Sequence, residues 1–287
     1  MGQEVDNFMK IDPNVIKLIN LALREDIGDG DITSNSLFSP QTQGRAILLA
    51  KESFIVSGLS VAAQIFYQLD PTCQIQLMAK EGARIEKDSI LAQIRGSLLA
   101  LLAGERTALN FLCHLSGIAT LTRRYVDALE GTQCKLLDTR KTTPGYRVLE
   151  KNAVLAGGGN NHRMGLFDSI LIKDNHISAY GSITNAVKTA RKNAPKNAIV
   201  EVECENLDQV NKAISAGAQM LLLDNMSCPM MAQAVSMTSG NVLTEASGGI
   251  HIDNIRQVAQ TGVDYVSVGA ITHSAPAIDI SLELKKL

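Results

Sequence analysis

Residues 198–224 read AIVEVECENLDQVNKAISAGAQMLLLD. An apolar run from Ala198 to Glu203 gives way to an amphipathic stretch, Leu207 to Ala216, and then to a second apolar run from Gln219 to Asp224. The same theme recurs on either side. Strands are expected at Lys135 to Asp138, Ser169 to Lys173, Asn241 to Glu245 and Asp264 to Gly269, and helices at Ser182 to Asn193, Met230 to Thr238 and Asp253 to Thr261. Uninterrupted apolar strands alternating with helices imply a parallel sheet covered on both faces, and strand after strand of this kind implies a βα-barrel.

The ends of these strands carry the chemistry. Asp138-Thr139-Arg140, Lys173, Glu203, Asp224, Glu245 and Gly269 are each expected where a strand closes, and in a βα-barrel those ends converge on one mouth. Any single one has a structural explanation, such as Asp224 capping the next helix. Six in succession predict one charged, functional end.

The first 115 residues are patterned differently. A helix is expected from Asn14 to Glu25, with Asp12 as cap and Pro13 in the first turn. The acidic segment Asp26 to Thr33 lacks the ligand spacing and closing glutamate of a calcium loop, so it reads as a turn leading into a strand. Strands follow at Arg45 to Ala50, Gln74 to Ala79 and Ile90 to Ile94, a helix at Leu59 to Leu69, and a long helix from Ala103 to Leu129 punctuated at Ser116-Gly117. This is an α+β domain set before a barrel.

With 287 residues and 45% hydrophobic content, the chain can bury a full core. No apolar run approaches the ~20 residues of a membrane span, and the start MGQEVDNFMK lacks the features of a signal peptide, so a cytoplasmic protein is expected. The cysteines at 73, 113, 134, 204 and 228 form no C-x-x-C pair and read as small apolar residues rather than as disulfides or zinc ligands. Cys204 has no neighbour in sequence that would activate it.

Residues 136–176, LLDTRKTTPGYRVLEKNAVLAGGGNNHRMGLFDSILIKDNH, gather Arg140, Lys141, Arg147, Lys151, His162, Arg163, Lys173 and His176 around Gly157-Gly158-Gly159, in a chain of net charge −2. One local basic cluster in a nearly neutral chain favours a small polyanion over nucleic acid. Ser247-Gly248-Gly249 and Gly269-Ala270 follow the last two strands, where glycine turns and helix starts commonly bind phosphate. Glu203 and Asp224 are suited to holding Mg²⁺ on a diphosphate, or to pairing with Lys141 or Lys173. Arg140, His162 and Arg163 are suited to carboxylates. Lys173 alone would also fit Schiff-base chemistry, although so many guanidinium groups are superfluous to it. Arg106, in GERTALNFL, reads as a snorkelling or paired arginine.

The long stretch above, together with EDIGDGDIT, ERTALNFL, EVECENL, LLLDNM, EASGGI and GVDYVSVGAITHS, resembles the quinolinate phosphoribosyltransferase family over nearly the whole chain. The resemblance implies an N-terminal α/β sandwich domain (1–115, joined by 274–287) and an open, incomplete α/β barrel (116–273). It implies the condensation of quinolinate with phosphoribosyl pyrophosphate, with Mg²⁺, to nicotinate mononucleotide, pyrophosphate and CO2. Arg106, Thr139, Arg140, Lys141, His162, Arg163 and Lys173 would surround quinolinate. Lys141, Glu203, Asp224, Ser247, Gly248, Gly249, Gly269, Ala270 and His273 would serve the phosphoribosyl donor, with Glu203 and Asp224 on the metal. Catalysis would fall to Lys141, Lys173, Glu203 and Asp224. A homodimer or larger assembly is implied, with Arg106 entering the neighbouring subunit's site. Competing readings are a nicotinate phosphoribosyltransferase, a molybdenum-associated homologue, a Schiff-base lyase and a non-enzymatic anion-binding regulator.

Overall fold

Asp12 accepts a hydrogen bond from the Asn14 N–H (2.7 Å) and Pro13 takes the first turn, so helix α1 (Pro13–Ile27) starts where its residues direct. The computed structural model describes residues 11–196 and 198–287, and the segment MGQEVDNFMK lies outside them. Two compact units make up the chain: residues 1–121, 143–158 and 274–287 form the first, residues 122–142 and 159–273 the second.

After α1 come α2 (Ile32–Leu37), β1 (Gln43–Ala50), β2 (Phe54–Ile55), α3 (Leu59–Leu69), β3 (Gln74–Leu77), β4 (Arg84–Ile85), β5 (Ile90–Ser97) and the long helix α4 (Leu98–Ala128). β6 (Lys135–Leu137) belongs to the second unit, whereas α5 (Arg147–Ala156) belongs to the first. The second unit continues through β7 (Ile170–Ile172), α6 (Asp174–Tyr180), α7 (Ile183–Asn193), β8 (Val200–Cys204), α8 (Leu207–Ala216) and β9 (Met220–Asp224). It ends with α9 (Cys228–Thr238), β10 (Leu243–Ser247), α10 (Ile255–Ala259), β11 (Tyr265–Ser267) and α11 (Ala270–His273), and β12 (Ile280–Lys286) returns to the first unit.

In the first unit, an antiparallel sheet of order β12-β1-β5-β3 is apolar on one face only. Ala46, Leu48 and Ala50 alternate with exposed or half-buried residues along β1, the period-two pattern of a one-sided sheet. The acidic segment before β1 corrects the expected turn into a strand. Asp31 Oδ1 accepts from the N–H groups of Thr33 and Ser34 at 3.0 Å each, which caps a helix, α2, in place of a strand. The helix expected to break at Ser116-Gly117 runs unbroken as α4. Gly117 is small for another reason: a Cβ there would overlap the Pro276 carbonyl oxygen of the segment leading into β12.

Helix α5 has no counterpart among the expected elements. It docks by polar contacts: Glu150, fully buried, accepts from the Thr143 N–H (3.1 Å) and pairs with His114 Nε2 on α4 (2.9 Å), while Tyr146 stacks on Phe111 at 5.2 Å. A buried carboxylate is costly unless hydrogen-bonded in this way. The sequence pattern divides domains at residue 115. The two units part six residues later, inside α4, and residues 143–158 lie with the first.

The second unit is a six-stranded parallel sheet of order β6-β11-β10-β9-β8-β7, whose outer strands β6 and β7 are not paired with each other. This is an open barrel. Val202, Leu221, Leu223, Ala246 and Val266 are buried on the face packed by α7 to α10, the arrangement that continuous apolar strands require. Ser182 and Asn206 cap α7 and α8 as their sequences direct. No helix among the described residues is long and apolar enough to cross a membrane.

Gly117→Ala tests the close approach in the first unit. Alanine in a helix interior gains about 1 kcal/mol over glycine, but overlap with a backbone oxygen costs about 1–3 kcal/mol. Thermal unfolding is expected at a lower temperature than in the wild type, and an unchanged or higher midpoint refutes the packing assigned to this glycine.

Candidate active site

Parallel strands deliver the residues that follow them to one end of the second unit. Lys173 leaves β7 and its backbone N–H donates to His176 Nδ1 (2.9 Å), which accounts for His176 as a helix-start contact of α6. Its ammonium pairs with Glu203 on β8 at 3.1 Å. Asp224 closes β9 and accepts from Asn225 Nδ2 (2.7 Å), while the Asn225 N–H donates to the Ser247 carbonyl at the end of β10 (2.9 Å). Gly248 follows with φ of +91°, and a Cβ there would overlap the Asn225 side chain. Only glycine fits that turn.

On the other side of β10, the Thr272 hydroxyl donates to the Lys141 carbonyl (2.8 Å). A Cβ on Gly269 would lie 3.0 Å from Lys141 Cδ and 3.3 Å from His273 Nε2, so these three residues lie together. The Lys141 N–H donates to Thr139 Oγ1 (3.0 Å). Lys141, Gly269 and His273 thus form one cluster, and Lys173 with Glu203 a second. Asp224, Asn225 and the Ser247 to Gly249 turn make a third. Arg106 is exposed on α4 in the first unit. Arg147 and Lys151 lie on α5, also in that unit, with Lys151 fully buried.

Glu245 departs from its expected place. The pairing of β10 continues to Ser247, opposite Asp224, so Glu245 sits in mid-strand, opposite Leu222, and is fully buried rather than at the mouth. Glu201, which sequence reading did not single out, is 3% exposed on β8. The two carboxylates meet at one ring: His162 Nε2 lies 3.2 Å from Glu201 and 3.4 Å from Glu245. Alternation of apolar and acidic residues, VEVE at 200–203, was the only signal in the sequence that Glu201 faces away from the helices.

The charge state of this cluster follows from its hydrogen bonds. Burial lowers the basicity of His162, while Glu201 and Glu245 raise it, for a net rise to about 10. That rise requires charged carboxylates, yet burial pushes Glu201 upward, toward its neutral form. The Arg163 N–H also donates to His162 Nδ1 at 2.7 Å, a bond that a second ring proton would break. The ring is therefore assigned as neutral, with its proton on Nε2 facing the acids.

Arg163 donates to the Ser169 carbonyl (3.3 Å). Burial, and then the nearby Arg140, pull its pKa down, while Glu201 and Asp168 oppose them. His162 and Arg163 border a cavity of about 560 Å³ lined by Lys135, Met220, Leu243 and Tyr265, at the amino-terminal starts of the strands. Lys141, Lys173, Glu203 and Asp224 do not line it.

An open parallel barrel with its cations, glycine turns and paired carboxylates at the carboxyl ends of the strands defines an α/β-barrel enzyme that handles anionic substrates. Residues 31–116 match the quinolinate phosphoribosyl transferase N-terminal domain and residues 118–283 the C-terminal domain of that name. A probable carboxylating nicotinate-nucleotide pyrophosphorylase of Bacillus subtilis is 46% identical over 268 residues, which cover 93% of this chain and 92% of the relative. Among solved structures, NadC from Streptococcus pyogenes superposes with a TM-score of 0.93 at 41% identity, covering 97% of this chain and 99% of the other. The nicotinate-nucleotide pyrophosphorylase of Francisella tularensis gives 0.90 at 42% identity, covering 96% and 99%. The chain belongs to the quinolinate phosphoribosyltransferase family.

Gly248→Ala forces a side chain into a left-handed turn already filled by Asn225. The strain of that backbone alone costs about 1–3 kcal/mol, and the Asn225 contact to Ser247 must yield. A crystal structure of the variant is expected to show the 247–249 turn displaced. An unmoved turn with Asn225 in place would refute the steric role given to Gly248.

Proposed function

We propose that this chain transfers the phosphoribosyl group of phosphoribosyl pyrophosphate to quinolinate with decarboxylation, giving nicotinate mononucleotide, pyrophosphate and CO2 in de novo NAD biosynthesis. What carries the reading is the match along nearly the whole chain to a relative named for the carboxylating pyrophosphorylase. The mouth of the barrel supports it, because both substrates are polyanions that would repel each other at contact distance without cations between them.

In this reading Arg140, Arg163 and Lys173, with Thr139, Lys141 and His162, receive the two carboxylates of quinolinate. The Ser247-Gly248-Gly249 turn, Gly269, Ala270, Lys141 and His273 receive the phosphates. Glu203 and Asp224 end neighbouring strands, are half-buried and offer hard oxygen donors, a set that fits Mg²⁺. Mg²⁺ held there would neutralise the charge of the diphosphate. Lys173, now paired with Glu203, would then turn to the substrate carboxylate.

The pyridine nitrogen attacks the anomeric carbon as the bond to pyrophosphate breaks, and the cations of the mouth stabilise the departing charge. The bond from ring carbon 2 to its carboxylate then breaks, leaving CO2, with its electron pair held at carbon 2 beside the positively charged nitrogen. A proton completes nicotinate mononucleotide. Lys173 is the group proposed to lower the barrier of that step. No covalent enzyme intermediate is needed.

The chain is proposed to work as a homodimer or a dimer-based assembly, with exposed Arg106 of one copy completing the site of another. Mixing an Arg106→Ala variant with a Glu203→Ala variant should then restore part of the activity, and proven mixed dimers without activity count against a shared site.

The functional reading itself rests on one assay. With phosphoribosyl pyrophosphate and Mg²⁺, the enzyme is expected to release CO2 from quinolinate and to leave nicotinate unused; preference for nicotinate overturns the assignment. Arg163→Ala removes two hydrogen bonds to a carboxylate, each worth about 1.5–3 kcal/mol. The KM for quinolinate should rise at least about 100-fold, and wild-type turnover at low quinolinate would remove Arg163 from the site.

A further inference from the structure

We infer that Glu201 and Glu245 are positioning residues for the quinolinate site, clamping the His162 ring and thereby aiming Arg163. The inference rests on the proposed use of Arg163 for a substrate carboxylate. Its evidence is the hydrogen bonding of the 160–163 segment, which is tied to three strands at once.

The segment is tied first to β6. The Asn160 N–H donates to the Leu136 carbonyl (2.9 Å), the Asp138 N–H to the Asn160 carbonyl (3.1 Å), and the His162 N–H to the Asp138 carboxylate (2.8 Å). Asp138 is fully buried. The ring supplies the second and third ties, to Glu201 on β8 and Glu245 on β10. Strand β9 lies between those two strands, so the acids come from non-adjacent strands and meet at this ring. The remaining ring nitrogen, Nδ1, accepts the Arg163 N–H. Both ring nitrogens of His162 therefore have protein partners, and the residue immediately after it is the arginine proposed to contact substrate.

Glu201 Oε1 and both Glu245 oxygens have no hydrogen-bond partner among the described residues, and Glu245 comes within 3.4 Å of Nε2. Burying two acids with so little else to bind is costly. Their common feature is His162. One histidine and two glutamates at this separation could also hold a divalent ion. That requires the lone pair of Nε2. With Nδ1 accepting from Arg163, the ring proton is on Nε2, and this nitrogen is a donor to Glu201 rather than a metal ligand.

Misplacing a binding group by about 1 Å can cost on the order of 100-fold in rate, so a loosened ring would be felt by the substrate that Arg163 meets. Steady-state kinetics on the full-length enzyme separate this from general damage. Glu201→Gln keeps an oxygen acceptor and should leave the quinolinate KM within about three-fold of wild type. Glu201→Met has similar volume and no such acceptor. It should raise the quinolinate KM at least about ten-fold, leaving the KM for phosphoribosyl pyrophosphate within about two-fold. In an Arg163→Ala background, Glu201→Met should add nothing further to the quinolinate KM, because it acts through a side chain already gone. Additive effects, or equal rises in both KM values, overturn the positioning role.

If Glu201→Met does not fold, wild-type protein decides. Nitrogen-15 spectra of its histidines should assign His162 as the neutral tautomer protonated at Nε2 near pH 7.5, and protonation at Nδ1 overturns the inference. Absence of quinolinate turnover by the wild type would instead overturn the functional reading, leaving the tautomer measurement intact.

Discussion

Parallel pairing of six strands in one direction governs the second unit. A parallel ladder aligns the carboxyl ends of its strands, and residues far apart in sequence reach the same rim without any local pattern linking them. Lys173 meets Glu203 across the β7–β8 pair, and Asn225 after β9 bonds to Ser247 at the end of β10. The Lys141–Gly269–His273 cluster forms in the same way, because β6 pairs with β11. Three clusters of charge and glycine thus depend on one register. Were a strand to slip by one residue, its acids would turn toward the covering helices.

Burial of acidic side chains is the second theme. Glu150 in the first unit and Asp138, Glu201 and Glu245 in the second are almost inaccessible. Where their partners can be named, they are backbone N–H groups or histidines: Thr143 and His114 for Glu150, the N–H of His162 for Asp138, and the His162 ring for the other two. Glu201 and Glu245 thereby reach a loop that their own strands do not pair with by backbone bonds. Loops are where binding groups reside, and a rigid scaffold is what aims them. Arg163 needs such support, because burial and the nearby Arg140 both disfavour its charge.

Much of this was legible in the residues themselves. The βα repeat from Lys135 onward predicted all six strands of the parallel sheet, because both-sided burial writes a continuous apolar run into each. The cap at Asp12 acts at a range of two residues, so local sequence sufficed. Helices α2, α5 and α6 escaped notice for complementary reasons. α2 has six residues and seven residues make α6, too few to display an apolar period, while α5 buries Glu150 and Lys151, so its inward face does not look apolar. The glycine at 117 marks a crossing by the segment before β12, a contact 159 positions away in sequence, rather than a helix break.

The sequence by itself determined the alternation of strands and helices, the glycine turns, the concentration of cations between Arg140 and Lys173, and the family to which they belong. Those are local features, set by period, side-chain chemistry and order along the chain. Only the tertiary structure decided which acids work at the mouth and which inside the sheet. Glu203 and Glu245 look alike in sequence, each the polar residue near the end of an apolar run. Strand register sets both opposite Leu222 of β9, yet Glu203 pairs with Lys173 and Glu245 approaches His162. Glu201, inconspicuous between two valines, joins it there because a curled sheet brings β8 and β10 onto one ring.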